Sequence, residues 1–191
     1  MVAVRRFEEA KVVRQIMEVF WRQGYAATSI DDLVAATGVK RGSLYNAFGD
    51  KERMFLLAFD AYVDQVIVPL LAALGDGDAK AGIGRFFDAQ IAELRDEGSP
   101  PACMMANGLA EFAQCSPPIQ QKIARHEAEL ETALYERLLR SQAEGELAPG
   151  RDVRALARYF ASVVRLLPML YRANRDERFV RDVATTALEV L

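Results

Sequence analysis

The chain has 191 residues, 51% of them hydrophobic and 27% charged, with a formal net charge of −3 and one histidine. That is enough for one good core, or a small head and a larger body, without disulfides or metals. The acidic balance excludes a protein coated in nucleic acid. Cys103 and Cys115 lie too far apart for a CxxC pair and His126 cannot complete a zinc set with them, so no metal site or cofactor is expected.

Charge is spread unevenly, because residues 1–53 hold nine Lys/Arg against seven Asp/Glu and the remainder holds 15 against 20. A mildly basic head on an acidic body points to one local anionic partner. The opening MVAVRRFEEAK turns acidic directly after its arginines, which fits neither a secretory signal nor a transit peptide. The apolar run Val66 to Leu74 is far shorter than the roughly 20 residues of a membrane crossing, and Pro69 interrupts it. A cytoplasmic protein with no membrane span is expected.

Nearly every segment has helical periodicity and none alternates like a strand, so the predicted fold is all-α. Val13, Ile16, Met17 and Phe20 line the inner face of a first helix that Gly24 ends. Ser29, with Asp32 three residues on, resembles a capping box opening a second helix, whose inner residues are Ile30, Leu33 and Val34. Gly38 closes that helix, and a third, about Arg41 to Ala47, turns Leu44 and Phe48 inward. Asp50 caps a fourth, running through Phe55, Phe59, Tyr62 and Val66 to a kink or break at Pro69. Further helices are predicted at about 79–96, 101–114, 117–144, 152–173 and 177–190. About nine helices result, divided into a head over residues 1–50 and a larger body over 51–191.

Short helix, glycine turn, short helix is the helix-turn-helix plan, in which the second helix enters the major groove of DNA. Gly38 permits the corner, Ala35 and Ala36 are small enough for close helix approach, and Val39 with Leu44 locks the angle. Lys40, Arg41, Ser43, Tyr45 and Asn46 are then left outside, as donors suited to phosphates and base edges. Thr28 and Ser29, at the positive end of the second helix, and Lys51, opening the fourth, suit phosphates. Arg5 and Arg6 read either as minor-groove contacts or as a tail.

Phe20, Gly24-Tyr25, Thr28-Ser29-Ile30, Ala36, Gly38-Val39, Arg41-Gly42-Ser43-Leu44-Tyr45, Phe48 and Lys51-Glu52 agree in order and spacing with one family. Over about residues 7–55 the chain resembles the DNA-binding head of the tetracycline-repressor (TetR) family. The resemblance implies a homodimer of Ω-shaped, all-helical subunits that binds a palindromic operator and releases it when a small molecule fills the larger domain. Residues 102–107 with Glu111 are similar to a Gly-Cys-Leu-apolar-Asn motif of one branch, with Ala102 in the glycine position.

In the body, Phe59, Tyr62, Phe86, Phe87, Met104, Met105, Leu109, Phe112 and Tyr159 suit either a filled core or an adaptable apolar cavity, with Asn107 and His126 as polar anchors. In the last two helices Leu156, Phe160, Val163, Val164, Leu167, Val183, Ala187 and Leu188 form a wide stripe, read as a four-helix dimer interface, while Arg154, Arg158, Ser162 and Arg165 fall on a solvated or rim face. Cys103 is either a buried small residue or a thiol sensor. The expected function is a ligand-responsive transcriptional repressor. The competing class is a helical interaction module or enzyme, and no nucleophile–base pair or paired carboxylate supports an enzyme.

Overall fold

A computed structural model of the chain describes residues 2–95, 100 and 103–191, and of residues 2–8 the backbone alone. The readings of Arg5, Arg6 and Ala102 concern side chains outside the described set. Ten α-helices follow in order: α1 Val2–Gln23, α2 Ile30–Thr37, α3 Arg41–Phe48, α4 Lys51–Tyr62, α5 Val68–Ala72, α6 Ala79–Arg95, α7 Met104–Ala110, α8 Pro117–Ala143, α9 Val153–Asn174 and α10 Glu177–Ala187. There is no strand among the described residues.

α4 and α5 form one rod, joined by a π-helical turn over Val63–Ile67. Pro69 has no N–H for the carbonyl four residues back, and the ladder slips by one position, with Val68 N–H reaching the Val63 carbonyl. The Lys51–Ala72 rod is long and apolar enough by composition to cross a membrane. Its Met54, Phe55, Ala58, Phe59, Tyr62, Val66 and Leu70 are instead buried in the core, against α1 on one side and α6 and α8 on the other. Phe20 meets Phe55 edge-on at 5.1 Å, and Trp21 meets Tyr62 edge-on at 4.9 Å, which joins α1 to the rod.

α7 is shorter than its predicted span. It stops at Ala110, and a single 3-10 turn over Phe112–Gln114 follows. α8 and α9 run antiparallel, since Arg158 pairs with Glu131 and Arg165 with Glu127. Arg175 takes a left-handed φ of 53° to turn the chain back into α10, which packs on α9 and α6.

Candidate nucleic-acid interface and effector cavity

The head is built by local rules. The Ser29 hydroxyl accepts from Asp32 N–H at 3.1 Å while the Asp32 carboxylate accepts from Ser29 N–H at 2.7 Å, closing the capping box of α2. At the other end Gly38 takes φ 68°, which costs an L side chain but not glycine, and Val39 N–H is held by the Thr37 hydroxyl. α3 then buries Leu44 and Phe48, one turn apart, and leaves Lys40, Arg41, Ser43, Tyr45 and Asn46 exposed. Gly42 is helical, with open space where a Cβ would stand, so nothing inside the chain requires glycine there. Ala35 and Ala36 are exposed and do not set the helix spacing.

Two of the phosphate contacts expected beside α3, from the hydroxyls of Thr28 and Ser29, need correction. Thr28 is buried, and its hydroxyl donates to the Gly24 carbonyl at 2.6 Å, so it fastens the turn after α1. The Ser29 hydroxyl is consumed by the cap, donating to Asp32 at 2.6 Å. Arg41 is exposed yet paired, 2.5 Å from Asp31 across the corner. Lys51 lies over the Tyr25 ring, its ammonium 4.5 Å from the centroid, and is half-buried.

The motif at the start of α7 does something the sequence reading did not foresee. Asn107 donates to the Trp21 carbonyl of α1 at 3.0 Å and accepts from Arg172 of α9 at 3.2 Å, so it ties α1 to α9. The Glu111 carboxylate accepts from Tyr25 N–H at 2.8 Å and Ala26 N–H at 3.1 Å. It sits where a Cβ on Gly24 would come within 2.4 Å of its oxygen. Both links lead from α7 to the segment that positions α2.

A cavity of about 40 Å³, room for roughly three waters, lies between α1, the α4–α5 rod, α6, α7, α8 and α9. Of the residues predicted to bind a ligand, Tyr62, Phe86 and Met105 line it, together with Cys103. Trp21, Val66, Leu70 and Leu130 supply further apolar wall. Phe59 is buried between Phe55 and His126, and Phe87 packs against Phe160 on the other face of α6. Met104 is core, Leu109 and Phe112 pack half-buried against it, and Tyr159 is 41% exposed, so none of these reaches the cavity. Nor does His126, which pairs with Glu129 at 2.7 Å.

Sequence periodicity gives no sign of three of the cavity's polar side chains and places the fourth, Arg165, on a solvated face. Gln90, Glu93, Glu127 and Arg165 line the cavity. Arg165 is not a solvated rim residue, because it turns onto the Glu127 carboxylate and forms an ion pair there. Burial pushes the Glu127 carboxyl above its usual range, and Arg165 opposes the shift. Arg154 and Arg158 do stay exposed, paired with Glu131. Pro168 within α9 leaves the Val164 carbonyl without its helical donor, and Gln90 Nε2 supplies one at 2.9 Å. Beside this cavity an open groove of about 450 Å³ runs along α7 and α9, sharing Cys103 and Pro168 with it.

The expected dimer stripe also needs correction. Leu156, Phe160, Val163, Val164, Leu167 and Ala187 are buried within the subunit, and Val183 and Leu188 are half-buried against the same core. The large apolar side chains left exposed on these two helices are Tyr159, Leu166 and Met169 on α9 and Phe179 on α10.

Residues 12–58 match the bacterial regulatory proteins of the tetR family, and residues 79–187 match the tetracyclin repressor-like C-terminal domain. The chain belongs to the TetR family and is a helix-turn-helix transcriptional regulator. It is 31% identical to the HTH-type transcriptional regulator YezE of Bacillus subtilis strain 168, covering 98% of this chain and 97% of that protein. With the transcriptional repressor ComR of Escherichia coli K12 it shares 28% identity over 96% of this chain and 89% of ComR. A solved structure of cysteine-substituted CifR, a TetR family regulator bound to 26-base-pair operator DNA, superposes with a TM-score of 0.85 at 26% identity, covering 93% of each chain.

Proposed function

We propose that the chain is a repressor acting in the cytoplasm as a homodimer on a palindromic operator, and that a small apolar effector entering the body releases it. The observation that carries this reading is α3: a short helix with Leu44 and Phe48 inward and Lys40, Ser43, Tyr45 and Asn46 outward beside a bare Gly42. That surface suits close approach to base edges. Lys51 is poised at the flank for phosphate, and the N-terminus of α2 offers it backbone N–H groups in place of hydroxyls. The exposed stripe Tyr159, Leu166, Met169 and Phe179 is the surface assigned to the partner subunit, setting two heads about 34 Å apart.

An effector would pass from the groove past Cys103 and Pro168 into the cavity and bias the subunit toward a head spacing that no longer fits successive major grooves. α7 is the element assigned to carry that bias, because its first residues form cavity wall and its last hold the turn before α2. Burial pushes the Cys103 thiol up, so at neutral pH it is protonated and a poor nucleophile. Non-covalent capture is therefore favoured over thiol sensing.

The test begins with selection from a pool of random duplexes. A palindrome should emerge whose affinity falls steeply with salt, and Tyr45→Ala or Lys40→Ala should weaken its binding by roughly fivefold to a hundredfold, as the loss of one base or phosphate contact does. Failure to enrich any duplex, or wild-type affinity in both variants, would refute α3 as the reading helix.

A further inference from the structure

Three buried polar atoms in the cavity wall have no hydrogen-bond partner: Gln90 Oε1, Glu127 Oε1 and Arg165 Nε. Buried polar atoms are nearly always matched, so three unmatched ones on residues that line a single apolar space mark a place where a ligand completes the bonding. Gln90 is 5% exposed and its orientation is fixed, because its amide nitrogen is committed to the Val164 carbonyl that Pro168 leaves unserved. Its oxygen is therefore an acceptor in waiting. In the Glu127–Arg165 pair one carboxylate oxygen and one terminal guanidinium nitrogen are engaged with each other, and the buried atoms left unmatched are the second carboxylate oxygen, an acceptor, and the guanidinium Nε–H, a donor.

Two unused acceptors and one unused donor define a complement with two donors and one acceptor. We propose that the cavity selects an uncharged molecule with an apolar body and a primary carboxamide head, its two N–H groups directed to Gln90 Oε1 and Glu127 Oε1 and its carbonyl to Arg165 Nε. This rests on reading the cavity as the effector site. An anionic head would meet the Glu127 carboxylate and a cationic one the Arg165 guanidinium, and either would bring an extra formal charge into apolar surroundings. Trp21, Tyr62 and Phe86 provide flat walls for the body. A ring is larger than the resting cavity, and two wall segments can yield to it. These are the π-helical turn bearing Val66 and Ile67, and α9 at Pro168, where the helical ladder is already interrupted.

Trp21 is the single tryptophan of the chain and part of the wall, so its emission reports occupancy directly. The full-length protein would be titrated with four probes built on one ring: benzamide, benzoate and benzamidine, which match in size, and the smaller toluene as the apolar reference. Benzamide should quench saturably and bind at least tenfold tighter than each of the others. Glu127→Gln, and the charge-balanced Glu127→Gln/Arg165→Gln, should cut the benzamide-to-toluene preference about tenfold. Equal binding of all four, or tighter binding of benzoate or benzamidine, overturns the carboxamide assignment while leaving the cavity as an effector site. No emission change with any probe, together with unaltered operator binding, overturns the effector-site reading as well.

Discussion

The head and the body treat their polar side chains in opposite ways. In the head Arg41, Asp31, Ser29 and Asp32 face water, and each finds its partner within ten residues of sequence. In the body Gln90, Glu127 and Arg165 come from three helices, sit in an apolar wall and remain incompletely bonded. Water screens the first set, so exchanging a protein partner for a phosphate costs little. The second set has no such reserve, and an unmatched atom there carries its desolvation cost until something binds. One region is suited to letting go and re-engaging, the other to discriminating.

Substitutions measured on one scale, urea unfolding of the purified protein, would break or sharpen that contrast. Arg165→Ala should be the most damaging, at about 3 kcal/mol, because it strands the Glu127 carboxylate in the wall; a loss no larger than that of a surface pair would erase the distinction. Glu111→Ala removes a carboxylate from two backbone N–H groups and should cost about 2 kcal/mol. It should also weaken effector-driven release more than operator binding itself, which anisotropy with and without effector would resolve. Ser29→Ala, which opens one side of the α2 cap, should cost about 1 kcal/mol. Arg41→Ala should leave the urea midpoint unchanged.

A pH dependence gives a separate, small effect. Hydrogen bonds from the Ser29 hydroxyl and N–H hold the Asp32 carboxyl below its usual range. A lowered folded value means the stabilisation is complete above the unfolded value, about 3.9, and is lost as pH falls through the lower folded one. Wild-type and Asp32→Asn proteins should therefore differ in melting temperature near neutral pH and converge at strongly acidic pH.

Much of the head could be read from sequence because its determinants are short-range. The capping box, the glycine corner and the inward Leu44 and Phe48 all lie within 20 consecutive residues. Thr28 was misread because its hydroxyl has two competing uses, a phosphate outside or a carbonyl four residues back, and residue type alone does not choose. In the body, periodicity marks which face of a helix is apolar but not what covers it. The stripe through Leu156, Phe160 and Leu167 was correctly apolar and wrongly assigned to a second subunit, since α6 and α8 of the same chain cover it. Arg165 looked solvated because Glu127, its counter-charge, lies 38 positions away on another helix. Tyr62, Phe86 and Met105 were recognisable as cavity residues by type, whereas Phe59 and Phe87, equally aromatic, point to other faces of the same helices.

Pro168 makes α9 a spliced beam. Its inner side bears Val164 and Arg165 on the cavity, and its outer side bears Leu166 and Met169 on the surface assigned to the partner subunit. The splice is clamped by an amide borrowed from α6, so the rigidity of α9 depends on a side chain that also lines the cavity. A molecule that drew the Gln90 amide nitrogen off the Val164 carbonyl would loosen the clamp, whereas one that bonded only the amide oxygen would leave α9 braced as it stands.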